Sequence, residues 1–106
     1  MDRFYRSSAA EASAVASATP AYVDEIIATN TSAGVLYLHI FDSATVPADT
    51  TAPDICIAVP ATSTVSWDAD TVVYFSAGVA VCLSSTAATK TVAGAVGVFT
   101  VRGKVA

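Results

Sequence analysis

The side chains able to do chemistry in this chain are few: one histidine, two cysteines and nine carboxylates. His39 is the only candidate general base near neutral pH, and it lies between Leu38 and Ile40 in an apolar run. Nucleophilic catalysis would need a Ser or Cys beside that ring and a carboxylate to orient it. Serines are plentiful, but none stands in a nucleophile elbow or another strained-turn signature. His39 therefore reads as a structural strand residue, and the chain is expected not to be an enzyme. Cys56 in DICIAVP and Cys82 in GVAVCLSS read as small core residues, with free thiols that fit a reducing compartment. Two cysteines 26 residues apart and one distant histidine match no zinc spacing.

Asp68 and Asp70 in WDAD project to one side if that segment stays extended, which is the beginning of a cation site. Calcium takes about six to eight oxygens, so Asp42, Asp49 or loop carbonyls would have to join them. Turn formation accounts for the pair more simply, and no metal is assigned. The glycines at 94, 97 and 103 lack the Lys-Ser/Thr ending of a phosphate loop, so no cofactor site is assigned either. Trp67, Tyr74 and Phe75 could line a sugar-binding face. Trp67 alternates with Val65, however, and Phe75 with Val73, as inward-facing core positions do.

Charge is distributed with a polarity. No Lys or Arg occurs between Ser7 and Thr89, a stretch that holds Glu11, Asp24, Glu25, Asp42, Asp49, Asp54, Asp68 and Asp70. Arg3 and Arg6 open the chain, and Lys90, Arg102 and Lys104 lie near its end. This polarity favours head-to-tail contacts between copies or docking of one end on an acidic neighbour. The net charge of −4 and the lack of a basic stripe argue against nucleic acid. The longest apolar run falls far short of the roughly 20 residues that cross a bilayer, so no membrane is expected. MDRFYR is followed by a polar tract holding Glu11, which is unlike a secretory signal.

The elements that must position these residues are strands. The 106 residues make one domain. Ala, Thr, Val and Ser supply more than half of them, and Gln is absent. Few long side chains would be frozen at an interface, where each costs up to about 2 kcal/mol. Residues 1–20 form an Ala/Ser tract ending at Pro20, expected to be an extended arm whose tip, Arg3, Phe4, Tyr5 and Arg6, anchors on a partner as a strap. Residues 21–106 are expected to form an all-β domain, a small antiparallel β-sandwich for which a jelly roll is one arrangement. YVDEIIAT, VLYLHIFD and DICIAVP read as strands. In the second, Leu36, Leu38 and Ile40 oppose Val35, Tyr37, His39 and Phe41, so both faces call for cover. Residues 43–53 form a long Pro/Thr loop suited to contact. STVSWDAD reads as a short strand broken by Asp68 and Asp70, TVVYFSAG and GVAVCLSS as a hairpin across residues 76–78, and residues 96–101 as a last strand.

Several of these segments together carry a resemblance: LYLHIFDSATVPADTTAPDICIAVPA and GVAVCLSSTAATKTVAGAVGVFTVRGK, with the L-x-I-F-D strand end, the V-P-A-D turn, the I-x-V-P strand and the V-x-L-S-S-T-A-A-T-K turn. Over about residues 22–106 the chain resembles small β-rich structural proteins of tailed-bacteriophage virions, of the capsid decoration or cement type. The resemblance implies a non-enzymatic protein made in the host cytoplasm and carried on the capsid surface. It also implies a homo-oligomer, with a trimer favoured, bridging copies of a major capsid protein and binding no cofactor. The same kind of sequence would serve in a tail or fibre component with a host-surface or carbohydrate-binding role.

Overall fold

A computed structural model describes residues 2–106, apart from the side chains of Asp2 and Arg3. Eight strands account for its regular structure: β1 (Asp2–Arg6), β2 (Ser13–Ser17), β3 (Ala21–Asn30), β4 (Leu36–Asp42), β5 (Ile55–Val59), β6 (Thr64–Phe75), β7 (Val79–Ser84) and β8 (Gly97–Val105). They form two four-stranded sheets in the orders β1-β8-β3-β6 (sheet A) and β2-β7-β4-β5 (sheet B), with every pairing antiparallel. The first strand therefore pairs with the eighth, the second with the seventh, the third with the sixth and the fourth with the fifth. This nested order is that of a jelly roll, and the fold is the expected all-β sandwich.

Period-two alternation builds the core between the sheets. Sheet A contributes Ala21, Val23, Ile26, Ala28, Phe99 and Val101, and sheet B contributes Leu36, Leu38, Ile40, Val59, Val79, Val81 and Leu83. The faces expected of β4 are the observed ones: Leu36, Leu38 and Ile40 enter this core, and His39 and Phe41 are buried on the opposite side. β4 lies between β7 and β5, and both of its faces are covered.

Three expectations are corrected. Residues 1–20 are not an arm, because β1 closes an edge of sheet A against β8 and β2 an edge of sheet B against β7. The connection between them is pinned to β8: Ser7 N donates to the Phe99 carbonyl at 2.9 Å, Phe99 N donates to Ser7 Oγ at 2.9 Å, and Glu11 and Gly97 exchange backbone bonds at 2.8 and 3.0 Å. Ladder bonds and the packing of Phe4 and Tyr5 on the core offset an ordering entropy that the tract could not offset alone.

Asp68 and Asp70 do not break the sixth strand. Glu25 faces Asp68 and Val23 faces Val73, so residues 69–72 bulge beyond the ladder opposite Asp24 and pairing resumes after them. The segments flanking residues 76–78 are not a hairpin, since β6 belongs to sheet A and β7 to sheet B. Asp42 holds the crossing turn by accepting from the backbone N–H groups of Ser76, Ala77 and Gly78 at 3.2, 2.8 and 3.4 Å.

The bulges of sheet A lie at one level, at Arg3/Tyr5 on β1 and Val23/Glu25 on β3. There β8 passes so close to β3 that a Cβ on Gly103 would stand 1.9 Å from the Tyr22 carbonyl oxygen. Only glycine fits this place.

Candidate functional site

On the outer face of sheet B the register aligns Cys56, His39 and Cys82 on three adjacent strands. Two loops, 43–54 and 85–92, come together beside this row. Thr50 N donates to the Lys90 carbonyl at 2.7 Å, Lys90 N donates to the Thr51 carbonyl at 2.8 Å, and Lys90 Nζ binds Asp49 at 2.8 Å. His39 and Cys82 have no exposed surface, and Phe41, Ala80 and Cys82 make a small second core. The long Pro/Thr loop thus makes its contacts with this protein's own second loop.

Cys56, expected in the core, is instead exposed on the edge strand β5, whereas His39 and Cys82 lie in a packed interior. Burial pushes the Cys82 thiol up to about 11, so it stays protonated at neutral pH. Burial also lowers the His39 pKa, against the nearby backbone of Ala87 and Thr86 and reinforced by the Lys90 charge. Neither ring nitrogen reaches hydrogen-bonding geometry, and the ring packs edge-on to Phe41 with centroids 5.9 Å apart. The carboxylate nearest in role to an orienting group, Asp49, is occupied by Lys90 and by Val92 N at 3.3 Å. No serine hydroxyl bonds to the ring.

The carboxylates considered for a cation site are dispersed. Asp42 binds the 76–78 turn: partial burial acts to raise its pKa, but the backbone N–H groups of Ala77, Ser76 and Gly78 outweigh it and hold the carboxyl below its usual value. Asp54 accepts from Asp42 N at 2.7 Å, and Asp68 accepts from Ser66 Oγ at 3.2 Å. Among the described residues no three acidic, His or Cys side chains gather as a metal site, and no cavity opens.

The aromatics divide between core and surface. Phe75 is buried and Trp67 packs on the core from the sixth strand, whereas Val73, expected inward with Phe75, is exposed. Tyr74 faces out and meets Tyr22, its cross-strand partner, with ring centroids 4.9 Å apart. Sequence spacing does not show this pair, because it depends on the register across the 69–72 bulge. Among the described residues, five of the seven exposed large apolar side chains, Tyr22, Val72, Val73, Tyr74 and Val105, belong to this end of sheet A, where Tyr22 also pairs with Lys104.

The N-terminal group separates in the same way. Phe4 and Tyr5 pack against this protein's own core, and the Tyr5 hydroxyl donates to Glu11. Loss of water, followed by the adjacent Glu11 carboxylate, raises the Tyr5 pKa. Arg6 is exposed, and the side chain of Arg3 lies outside the described residues.

In the next row of sheet A, Arg102, Glu25 and Asp68 stand side by side on three strands, with Arg102 3.3 Å from Glu25. Asp68 raises the Glu25 pKa, loss of water adds to this, and Arg102 opposes both. By register Arg3 on β1 continues this row beyond Arg102, so its two arginines lie toward β1 and its two carboxylates toward β6. Comparison with family models, with curated proteins and with solved structures finds no match to this chain.

Proposed function

We propose that this protein is a non-enzymatic structural component of a bacteriophage virion, a decoration or cement protein that stabilises the head by bridging capsid subunits. The observation that carries the reading is the kind of surface this sandwich presents. A self-contained jelly roll, its loops tied to one another, offers short Ala, Thr, Ser and Val side chains that lose little entropy when a neighbour covers them. His39 and Cys82 are buried, and partial loss of water raises the pKa of the exposed Cys56 thiol. A homo-oligomer, for which a trimer is the favoured form, would bind a shell through several modest contacts at once and gain avidity from their linkage. Residues 1–20 have no part in this as a strap, since they complete both sheets.

The test is to mix the purified chain with phage heads and locate it by particle reconstruction. Density for the sandwich at defined junctions between capsid subunits is the expected result. Heads that bind none of it would refute the reading.

A second reading, a tail or fibre component that binds a host-surface carbohydrate, rests on the exposed Tyr22–Tyr74 pair, since aromatic faces pack on sugar rings. Glycan binding lost on Tyr22→Ala and Tyr74→Ala would favour it over the first.

A further inference from the structure

We infer that copies of this chain join edge to edge through sheet A, the β6 edge of one copy receiving the β1 edge of the next. This deepens the oligomeric part of the reading above and depends on that reading for nothing else.

Topology supplies two open edges of suitable direction. β1 and β6 are the outer strands of sheet A and, through β8 and β3, run antiparallel to each other. Rotation about an axis along the strands preserves strand direction, so the β6 of one copy meets the β1 of the next as an antiparallel pair. Over its last residues, TVVYF, β6 has no charge, no Pro and no inward-pointing Lys; its edge device is the 69–72 bulge, which leaves the Ser66–Asp68 stretch in regular pairing. The exposed Tyr22, Val72 and Tyr74 beside it are apolar surface that a neighbour would cover.

Charge selects the partner. By register the row runs Arg3, Arg102, Glu25, Asp68, so it presents cations toward the β1 edge and carboxylates toward the β6 edge. Across the sheet Arg6 pairs with Thr100, Thr100 with Ile27, and Ile27 with Ser66. A ladder continued at the same level therefore places the next copy's Arg3 at the level of Asp68, and its Arg6 opposite Ser66 and diagonal to Asp68. Diagonal neighbours lie about 7–8 Å apart at the backbone, within reach of an arginine. Arg6, Ser66 and Asp68 are all exposed. An isologous contact of β6 with a second β6 brings no cation to Asp68. The β1 edge does, and it is the opposite edge of the same sheet.

The experiment is analytical ultracentrifugation of the full chain across concentration and salt, with Arg6→Glu, Asp68→Arg and the double reversal. Self-association that weakens with salt is expected. Each single reversal should raise the dissociation constant by about tenfold or more, and the double variant should recover most of that loss. Thermal melting of each variant checks that the fold is intact. If a reversal unfolds the chain, Arg6→Gln and Asp68→Asn replace it, and the pair together must then weaken association no more than either alone. A monomer under all conditions would overturn the inference. So would an R6E chain that associates like the parent, which is the outcome of a contact between two β6 strands, or a double variant without recovery. Binding to phage heads is read separately: intact self-association without head binding refutes the virion reading and leaves this one standing.

Discussion

Replacing Asn30, the only side-chain amide in the chain, should cost more stability than any single hydroxyl substitution. Its side chain has no exposed surface and closes the end of β3 on two turns. The amide nitrogen donates to the carbonyls of Gly34, Val59 and Pro60 at 2.9, 3.1 and 3.3 Å, while Oδ1 accepts from Ser32 N at 2.9 Å and Ser32 Oγ at 2.7 Å. These bonds are not equal in value. Gly34 keeps the Ser32 hydroxyl at 3.0 Å, and Pro60 is exposed and can turn to water. Val59 is buried, so its carbonyl bears most of the desolvation penalty when the donor is removed. With that penalty and the net loss of the remaining bonds, Asn30→Ala should destabilise by about 2–4 kcal/mol. That is a large share of the roughly 5–15 kcal/mol that holds a domain together.

Urea unfolding should show the loss in the midpoint with an unchanged slope, and calorimetry a melting temperature lower by about 10–20 °C. Asn30→Asp sharpens the test, since an oxygen then faces the carbonyls that had received a donor. At neutral pH it should be worse than alanine, and the excess should shrink as acid protonates the new carboxyl. An alanine variant within about 0.5 kcal/mol of the parent, or an aspartate variant as stable as the parent at pH 7, would refute the reasoning.

Three further outcomes follow from the same structure. Gly103→Ala, at a φ of +156° with the Tyr22 carbonyl oxygen 1.9 Å from the added carbon, should cost about 3 kcal/mol or more in denaturant unfolding. Because burial holds the His39 pKa below that of a free imidazole, the unfolded chain binds the proton first. Stability should then fall as pH drops below about 6.5 and level off below the folded-state pKa, and His39→Phe should flatten that slope in pH-dependent melting. Deleting residues 1–18 removes both edge strands beside β8 and β7, so circular dichroism should show loss of the cooperative melt, where a mere strap would leave it unchanged.

Strands that alternate strongly are legible in the amino-acid sequence alone. The faces of LYLHIFD, the inward Ile55, Ile57 and Val59 and the Phe99 side of the last strand all follow from the period of two. β1 and β2 are not, because Ser13–Ser17 is small and weakly apolar and becomes a strand only through its pairing with β7. The same holds for the continuity of β6, where the ladder skips residues 69–72 while the local acids signal a stop. Asp42 shows why the hairpin reading fails, since its carboxylate binds the 76–78 turn from a strand 34 residues away. The surface features on which the two proposals rest are of this non-local type. Tyr22 meets Tyr74, and Arg6 shares a level with Ser66, only once the register is known.

The nesting of strand partners also governs the order in which the molecule can be made. A ribosome releases β1 first, yet its partner β8 is synthesised last, and β2 must likewise wait for β7. Only β4 and β5 can zip as neighbours while the chain is still growing, and such distant pairing is slow compared with local folding. The outermost strand is therefore laid down at the very end. If copies join edge to edge as inferred above, the β1 border that such joining uses is in place only after β8 has been made.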